Sequence, residues 1–198
     1  MTIDATPRTL EPHTQQFIDS LAGAPAIYTL SAADARSVLV RAQSAPVGKP
    51  RAQIEDLTFP GGPTGSVPVR IIRPAGAAGL LPTVMYFHGG GWILGDRDTH
   101  DRLVREIAAG VGAAVVFVDY ARAPEACFPV AIEQAYAATC YAVNHSAGHW
   151  QAGSFGRAVA GCEHDDIAEP VSRLPLPARG HRACGLALSL LQPEPARC

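Results

Sequence analysis

The 198-residue sequence predicts a three-layer α/β sandwich with a mostly parallel sheet. Two almost continuously apolar runs, "TVMYFH" from residue 83 and "AAVVFVDY" from residue 113, are typical of strands covered on both faces. A helical pattern follows each of these runs. Such alternation of strand and helix predicts parallel strands with helices on both sides of the sheet. The length indicates one domain with at most a small appendage.

The first 45 residues are expected to be helical. The stretch "EPHTQQFIDSLA" places Phe17, Ile18 and Leu21 on one side of a helix. The stretch "SAADARSVLVRA" begins with Ser31 as an N-cap and has Asp34 in its first turn. Two prolines and a glycine in "QSAPVGKP" then end the second helix.

From residue 51 onward the sequence predicts strands and a covering helix. "AQIEDLTF" and "VPVRIIRP" flank the turn "GGPTGS" and form a predicted hairpin. After "TVMYFH", the stretch "DTHDRLVREIAAGVG" is helical, with Leu103, Ile107 and Val111 on one face. Gly110 and Gly112 are candidate ends of this helix. A further helix is predicted in "PVAIEQAYAATCYAVNHS", after the second apolar strand.

Composition excludes several classes of function. The chain is 47% hydrophobic and 17% charged, which is typical of a soluble globular protein. Its formal charge of -2 gives no basic field for nucleic acid or an anionic membrane. The apolar runs are too short to span a bilayer, and no apolar signal segment opens the chain. Five cysteines without a Cys-x-x-Cys pair favour reduced thiols, so we expect a cytoplasmic protein. No cofactor is expected.

The stretch "FHGGGWILGD" is the strongest candidate for a functional site. Its three consecutive glycines follow a predicted buried strand, and ligands of α/β sheets bind at the carboxyl ends of strands. Consecutive glycine N–H groups can form a nest for a negatively charged oxygen, such as the oxyanion of acyl transfer. A flexible surface turn and a phosphate nest are the alternatives that the triplet alone leaves open.

Two motifs together resemble one enzyme family. "YFHGGGWILGDRDTHDRL" and "VFVDYARAPEACFPVAIEQAYAA" occur in the order and spacing of the hormone-sensitive-lipase-like esterases and lipases, which have the α/β-hydrolase fold. The resemblance runs from about residue 15 to about residue 161. It implies a three-layer α/β-hydrolase sandwich, truncated after about six strands, with an N-terminal helical cap segment.

The resemblance also implies roles for the residues of the first motif. Gly90 and Gly91 would supply most of the oxyanion hole, and Gly89 would shape the turn. His88 would orient the loop rather than act as the catalytic base. Trp92 would line the acyl pocket, so the implied ligand is a small acyl ester or a similar apolar molecule.

The second motif departs from the common family sequence Tyr-Arg-Leu-Ala-Pro-Glu. This chain reads Tyr-Ala-Arg-Ala-Pro-Glu over residues 120–125, which we interpret as a variation within the family. We expect Asp119 and Glu125 to hold this loop through hydrogen bonds rather than to act in catalysis.

No intact catalytic triad is predicted. The family places its nucleophile in Gly-Asp-Ser-x-Gly, where this chain has Gly161, Cys162 and Glu163, and no Gly-x-Ser-x-Gly occurs in the 198 residues. Ser146 in "NHSAG" is the nearest imitation, but it follows a predicted helix rather than a strand. The family's acid and histidine loops lie well beyond the nucleophile, and the chain ends at Cys198.

The last 37 residues differ in character from the rest of the chain. They hold five prolines and three of the five cysteines, and we expect either a disrupted reading frame after Gly161 or a diverged C-terminus. The predicted divisions are therefore a cap segment over residues 1–48, a hydrolase core over 49–161 and an atypical tail over 162–198. A chance grouping is the preferred account of four residues that could hold zinc, so no metal is expected: Cys162, His164, His181 and Cys184.

Three functions remain open at this stage. The resemblance implies a carboxylic ester hydrolase, which is expected to be inactive as written. A non-catalytic protein that binds a small ligand and a non-functional fragment are the alternatives. An incompletely covered sheet edge would also favour self-association.

Overall fold

The computed structural model describes residues 10–145 and the backbone of residues 155–156. The helices are α1 (Pro12–Ser20), α2 (Ala32–Gln43), α3 (Asp101–Val111) and α4 (Val130–Asn144), with a short 3₁₀ turn at Ile27–Thr29. The strands are β1 (Ala52–Pro60), β2 (Ser66–Pro74), β3 (Thr83–Phe87), β4 (Ala114–Val118) and β5 (Phe155–Gly156). Each of these long helices and of the first four strands overlaps a segment that the sequence predicts.

The five strands form one sheet in the order β1-β2-β4-β3-β5. The predicted hairpin is confirmed, with Ala52 opposite Pro74 and Pro60 opposite Ser66. Strand β2 also pairs antiparallel with β4, whereas β3 is parallel to both β4 and β5. The described sheet is therefore mixed rather than mostly parallel, because the hairpin turns β2 against the direction of β4.

The two faces of the sheet carry separate apolar clusters, which confirms the three-layer architecture. Val116 and Val118 of β4 point to the cluster that includes Ala138 and Ala142 of α4. Val115 and Phe117 point to the opposite cluster, which includes Val104 and Ala108 of α3. Every residue of β4 is buried, as expected of a central strand between two helical layers.

Helix α3 does not bury the face that its sequence suggests. Val104 and Ala108 are fully buried, whereas Leu103 and Val111 are 46% and 62% exposed. Ile107 only packs against the edge of the cluster. The small Ala108 faces the sheet. The spacing of the larger residues Leu103, Ile107 and Val111 therefore predicts the wrong buried face for α3. Gly112 ends the helix in a left-handed conformation with a φ of 64°, as predicted.

The N-terminal helices lie at the surface. Phe17, Ile18 and Leu21 of the α1 segment share a side of the helix but are all exposed among the residues described. Helix α2 begins as predicted, because the Ser31 hydroxyl accepts a hydrogen bond from the Asp34 N–H at 3.1 Å. Ser31 Oγ also donates to the Asp34 carboxylate at 2.6 Å.

The expectation of reduced thiols is wrong for two cysteines. Cys127 and Cys140 are both disulfide-bonded, one before α4 and the other within it. A Cys-x-x-Cys motif can reveal only cysteines that are close in sequence. It therefore could not predict disulfide bonding of cysteines in a loop and a helix that the fold brings together. Within residues 10–145, no helix is both long enough and apolar enough to cross a membrane.

Candidate active site

A loop rich in glycine, residues 88–96 and here called the glycine loop, leaves the carboxyl end of β3. Strand β3 is parallel to β4 on one side and to β5 on the other. Because parallel strands end at the same edge of a sheet, the glycine loop lies at the edge where α/β proteins bind ligands. The sequence prediction that the glycines follow a central strand is confirmed.

Two of the glycines are required by the shape of the loop. Gly90 has a φ of 117°, and a Cβ atom there would lie 2.6 Å from the Leu94 carbonyl oxygen. Gly95 has a φ of 84°, and a Cβ atom there would lie 2.5 Å from Nδ1 of His88. Gly91 also has a positive φ of 61°, but a side chain at this position would meet no neighbour within 4 Å. The loop therefore folds back tightly on itself at Gly90 and Gly95.

The carbonyl of Gly90 accepts hydrogen bonds, whereas its N–H has no acceptor within the described part of the chain. The Gly90 oxygen accepts hydrogen bonds from the Ile93 N–H at 3.2 Å and the Leu94 N–H at 2.9 Å. Neither Gly90 nor Gly91 donates its N–H to an acceptor among the residues that the structure describes. Two adjacent donors without protein acceptors are what a nest for an anionic oxygen requires.

His88 is buried and held by its neighbours. Its Nδ1–H donates to the Gly89 carbonyl at 2.9 Å, and the Tyr120 hydroxyl donates to the His88 carbonyl. The ring is stacked between Tyr120 and Phe117, with centroid distances of 4.2 and 5.4 Å. Burial lowers the pKa of His88 to about 4, so the imidazole is neutral at pH 7. Its Nε2 is buried and has no partner within the described part of the chain.

Trp92 connects the glycine loop to the second motif. Its carbonyl accepts a hydrogen bond from the Ala123 N–H at 2.9 Å. The indole is 39% exposed and lies 5.5 Å from the ring of Tyr120. Trp92 is also a non-glycine residue with a positive φ, at 63°. The two motifs that carry the family resemblance are thus in direct contact.

Arg36 of α2 binds both motifs at once. Its Nε donates to the Ile93 carbonyl at 2.8 Å, and its Nη2 donates to the Ala123 carbonyl at 2.7 Å. The guanidinium also forms two hydrogen bonds of 2.7 Å with the Glu125 carboxylate. Sequence reasoning missed Arg36, because its partners lie 57 to 89 residues away and α2 carries no motif. The predicted hydrogen-bonding role of Glu125 is confirmed.

Two further ion pairs lie at the end of the glycine loop and directly after it. Arg97 Nε lies 3.1 Å from the Asp119 carboxylate, whose pKa is raised by burial. Arg122 donates to the Gly95 carbonyl and lies 3.7 Å from the Asp96 carboxylate. Asp119 therefore has the structural role that the sequence predicts, although its partner is Arg97 in an ion pair rather than the second-motif loop. Arg122 supports the far end of the glycine loop.

A cavity of about 520 Å³ opens beside the glycine loop. Its wall is formed by Gly89, Gly90 and Leu94 of the glycine loop, by Thr99 and His100 before α3, and by residues of α2 and α3. Its lining joins apolar and polar side chains: Leu39, Leu94, Leu103, Gln43, Thr99, His100, Arg102 and Glu106. Such a volume is in the range of small-molecule sites.

The remaining predicted positions cannot be placed beside this site. Ser146, Gly161, Cys162 and Glu163 lie outside the described residues, and so do all four residues weighed as zinc ligands. Among residues 10–145, no group of three His, Cys, Asp or Glu side chains could hold a metal ion.

Comparison with known proteins identifies the same family as the two motifs. A family profile described as the α/β-hydrolase fold matches residues 84–163. LipN of Mycobacterium tuberculosis, a carboxylic ester hydrolase, is 45% identical over 93 residues, which cover 47% of this chain and 24% of LipN. Esterase LipI of the same organism is 44% identical over 115 residues, covering 57% of this chain and 35% of LipI.

Solved structures agree with the sequence relatives. A thermostable esterase from Pseudomonas putida is 41% identical with a TM-score of 0.66, over 72% of this chain and 45% of the esterase. This chain spans less than half of the length of LipN, LipI and the Pseudomonas esterase. With both motifs in contact on an α/β sheet, the chain has the α/β-hydrolase fold, and its carboxylic ester hydrolase and esterase relatives fit the hormone-sensitive-lipase-like family that the two motifs resemble.

Proposed function

We propose that this chain carries the oxyanion-binding part of a carboxylic ester hydrolase. The observation that supports this most directly is the pair of N–H groups at Gly90 and Gly91, which lack acceptors among the described residues. They stand just after the carboxyl end of β3. In ester hydrolysis, preorganised donors there stabilise the oxyanion of the tetrahedral intermediate, and one donor contributes roughly 3–4 kcal/mol to barrier lowering.

The other loop residues support the two donors. Gly89 shapes the turn and accepts the hydrogen bond that fixes the His88 ring. His88 orients the loop, since its neutral, stacked ring offers no free Nδ1 for proton transfer. Trp92, next to the donors and partly exposed, lines the acyl pocket close to the ester carbonyl.

We further propose that the 198 residues alone do not turn over esters. They contain no Gly-x-Ser-x-Gly, and Cys162 and Glu163 stand where the family has aspartate and serine. Loss of the serine nucleophile costs about 10⁶ in turnover in serine hydrolases, although an oxyanion hole retains roughly 10³–10⁴ over water. Ligand binding without turnover is the second candidate function, because the Gly90 and Gly91 N–H groups have no acceptor among residues 10–145.

The test is a p-nitrophenyl butyrate assay combined with a fluorophosphonate serine probe. We expect no burst and no labelled protein. Stoichiometric labelling at Ser146 would contradict the proposal and identify "NHSAG" as a nucleophile site. For the disrupted-frame explanation, the coding DNA should encode Gly-Asp-Ser-x-Gly in another frame after the codons for residues 157–161.

We propose the divisions 1–48 for the cap segment, 49–161 for the hydrolase core and 162–198 for the tail. The cap proposal is supported by the contact of Arg36 with both motif loops. Self-association through an open sheet edge is a further proposal. Sedimentation velocity across a tenfold concentration range tests it, and a constant monomer would contradict it.

Cytoplasmic location is also only a proposal. The disulfide-bonded state of Cys127 and Cys140 weighs against a reducing compartment, where such bonds are rare. Alkylation of intact cells followed by peptide mapping tests it. Free thiols at both positions would support the cytoplasm, and protected thiols would exclude it.

A further inference from the structure

Gln134, near the start of α4, is a polar side chain in the interior of the protein. It is 3% exposed. Its Oε1 accepts a hydrogen bond from the Ala121 N–H at 2.7 Å, and its Nε2 donates to the Thr64 hydroxyl at 2.7 Å. A buried polar group whose partners are present is held rigidly, because leaving one end unpaired is costly. Gln134 therefore connects α4 to two loops through hydrogen bonds of fixed direction.

The hydroxyl of Thr64 determines which way the Gln134 amide faces. Thr64 lies in the turn between β1 and β2, and its hydroxyl donates its one proton to the Ser66 carbonyl at 2.8 Å. The Thr64 oxygen is therefore an acceptor for the amino group of the amide. The carbonyl oxygen of Gln134 then faces the Ala121 N–H, which has no backbone acceptor within residues 10–145.

The Ala121 peptide lies between two side chains that bind opposite ends of the glycine loop. The Tyr120 hydroxyl donates to the His88 carbonyl at the start of this loop. Arg122 donates to the Gly95 carbonyl near its end. Because Ala121 joins these two residues, the position of its backbone sets the point from which both side chains reach the loop.

We propose that Gln134 is a positioning residue for the glycine loop. Its carbonyl oxygen fixes the Ala121 peptide, and the two neighbouring side chains carry that position to both ends of the loop. The N–H groups of Gly90 and Gly91 lie between those ends, so their direction depends on them. This inference rests on the proposed oxyanion function and adds a residue of α4, outside the glycine loop, to those on which that function depends.

The test observes the loop directly by NMR, so it does not require a nucleophile. Nitrogen–proton correlation spectra of the full 198-residue chain follow the amide signals of Gly90 and Gly91, first in the free protein and then during titration with sodium acetate. Acetate should shift both signals in the wild type, because a carboxylate oxygen supplies the acceptor that these two N–H groups lack among the described residues.

Gln134→Met removes the acceptor of the Ala121 N–H and keeps a side chain of similar length. The Gly90 and Gly91 signals should move in the free variant. Its affinity for acetate should fall about tenfold, which is the effect of misaligning one hydrogen bond to a charged group. Should the methionine variant not fold, Gln134→Asn gives the same test, since an amide one methylene shorter does not reach both partners.

Thr64→Val is the matched control, because it removes the other partner of the same amide and leaves the contact with Ala121 in place. Thr64 is exposed, so water replaces its hydroxyl as a partner of Gln134. The loop signals and the acetate affinity of this variant should match those of the wild type. Gln134→Glu is the rescue variant: its carboxyl group keeps an oxygen acceptor for the Ala121 N–H and should return the loop signals towards their wild-type positions.

Three results would overturn the role of Gln134. They are wild-type Gly90 and Gly91 signals in Gln134→Met and Gln134→Asn, equal displacement of these signals in Thr64→Val, or no recovery in Gln134→Glu. An acetate titration that moves neither signal in the wild type would instead refute the oxyanion proposal. Displaced signals in the free methionine variant would then still support Gln134 as the residue that positions the loop.

Discussion

The guanidinium of Arg36 forms two hydrogen bonds of 2.7 Å with the carboxylate of Glu125, 89 residues further along the chain. The same guanidinium holds the carbonyls of Ile93 and Ala123. One side chain on helix α2 thus fixes the glycine loop and the second motif relative to each other. This geometry makes helix α2 part of the candidate site.

Arg36→Gln should lower the free energy of unfolding by about 1–2 kcal/mol, because the hydrogen bonds to two backbone carbonyls are lost. Arg36→Lys should be destabilised almost as much as Arg36→Gln, since an ammonium group cannot reproduce the planar set of donors of a guanidinium. Arg102→Gln is the control, because the exposed pair with Glu106 contributes only about 0.3–0.5 kcal/mol. Urea denaturation compares the three variants. Equal effects of Arg36→Gln and Arg102→Gln would show that Arg36 does not hold the loops.

The Arg36–Glu125 contact should persist into strong acid. Its hydrogen bonds lower the pKa of Glu125 from 4.5 to about 2. A carboxyl group with a lowered pKa stabilises the fold above its unfolded value and loses that contribution as pH falls through its folded value. The stability difference between wild type and Glu125→Gln should therefore be constant above about pH 4.5 and shrink between 4.5 and 2. A difference that vanishes by about pH 4 would contradict the contact.

Most of the fold could be predicted from local patterns in the sequence. Several features depend only on residues that are close together in the sequence. They are the alternation of apolar and polar residues around β1 and β2, the continuous apolar runs of β3 and β4, and the Ser31 N-cap. The buried face of α3 could not be predicted from the larger residues. Burial there depends on how closely Ala108 lets the helix approach β2 and β4, which is a tertiary property.

The candidate site also has parts that local sequence predicts and parts that it does not. The glycine loop could be predicted because three consecutive glycines and the strand before them are contiguous in the sequence. Arg36, the disulfide-bonded state of Cys127 and Cys140, and the leucine-lined cavity depend on residues distant in sequence. No periodicity or motif marks such contacts in a single chain.

His88 should make the fold acid-sensitive well above the range of Glu125. Its folded pKa is about 4 because of burial, against an ordinary value of 6.5. Between these two values the unfolded chain binds more protons, so stability rises with pH across that window, by about 3 kcal/mol in total. Wild type and His88→Asn should be compared by denaturation at about pH 7, 6 and 5. In the His88→Asn variant, the free energy of unfolding should depend much less on pH over this range.

Some slope should remain in His88→Asn, because burial also lowers the pKa of His100. An NMR titration gives an independent reading, in which the His88 ring protons should shift near pH 4. Titration of His88 near 6.5 would show that its ring is solvated and that it does not hold the loop in the way described.

Three glycine-to-alanine substitutions should distinguish a steric clash inside the glycine loop from the effect on stability of replacing a glycine whose surroundings are open. Gly90→Ala should destabilise the protein by more than about 2 kcal/mol, because its φ of 117° is strained for alanine and its Cβ would lie 2.6 Å from the Leu94 oxygen. Gly91→Ala should cost only about 1–2 kcal/mol, since its φ of 61° is left-handed but its surroundings are open. The cost should appear in the unfolding midpoint in urea, with the slope unchanged.

Gly110→Ala is the matched control for this series. Gly110 lies inside α3 without a positive φ, and an added methyl group would meet no neighbour within 4 Å. Alanine there should therefore stabilise the helix by about 0.5–1 kcal/mol. The expected order of stability is Gly110→Ala, wild type, Gly91→Ala and Gly90→Ala. If Gly90→Ala were as stable as Gly91→Ala, the loop would not fold back on Leu94, and the Gly90 N–H would not stand where an oxyanion needs it.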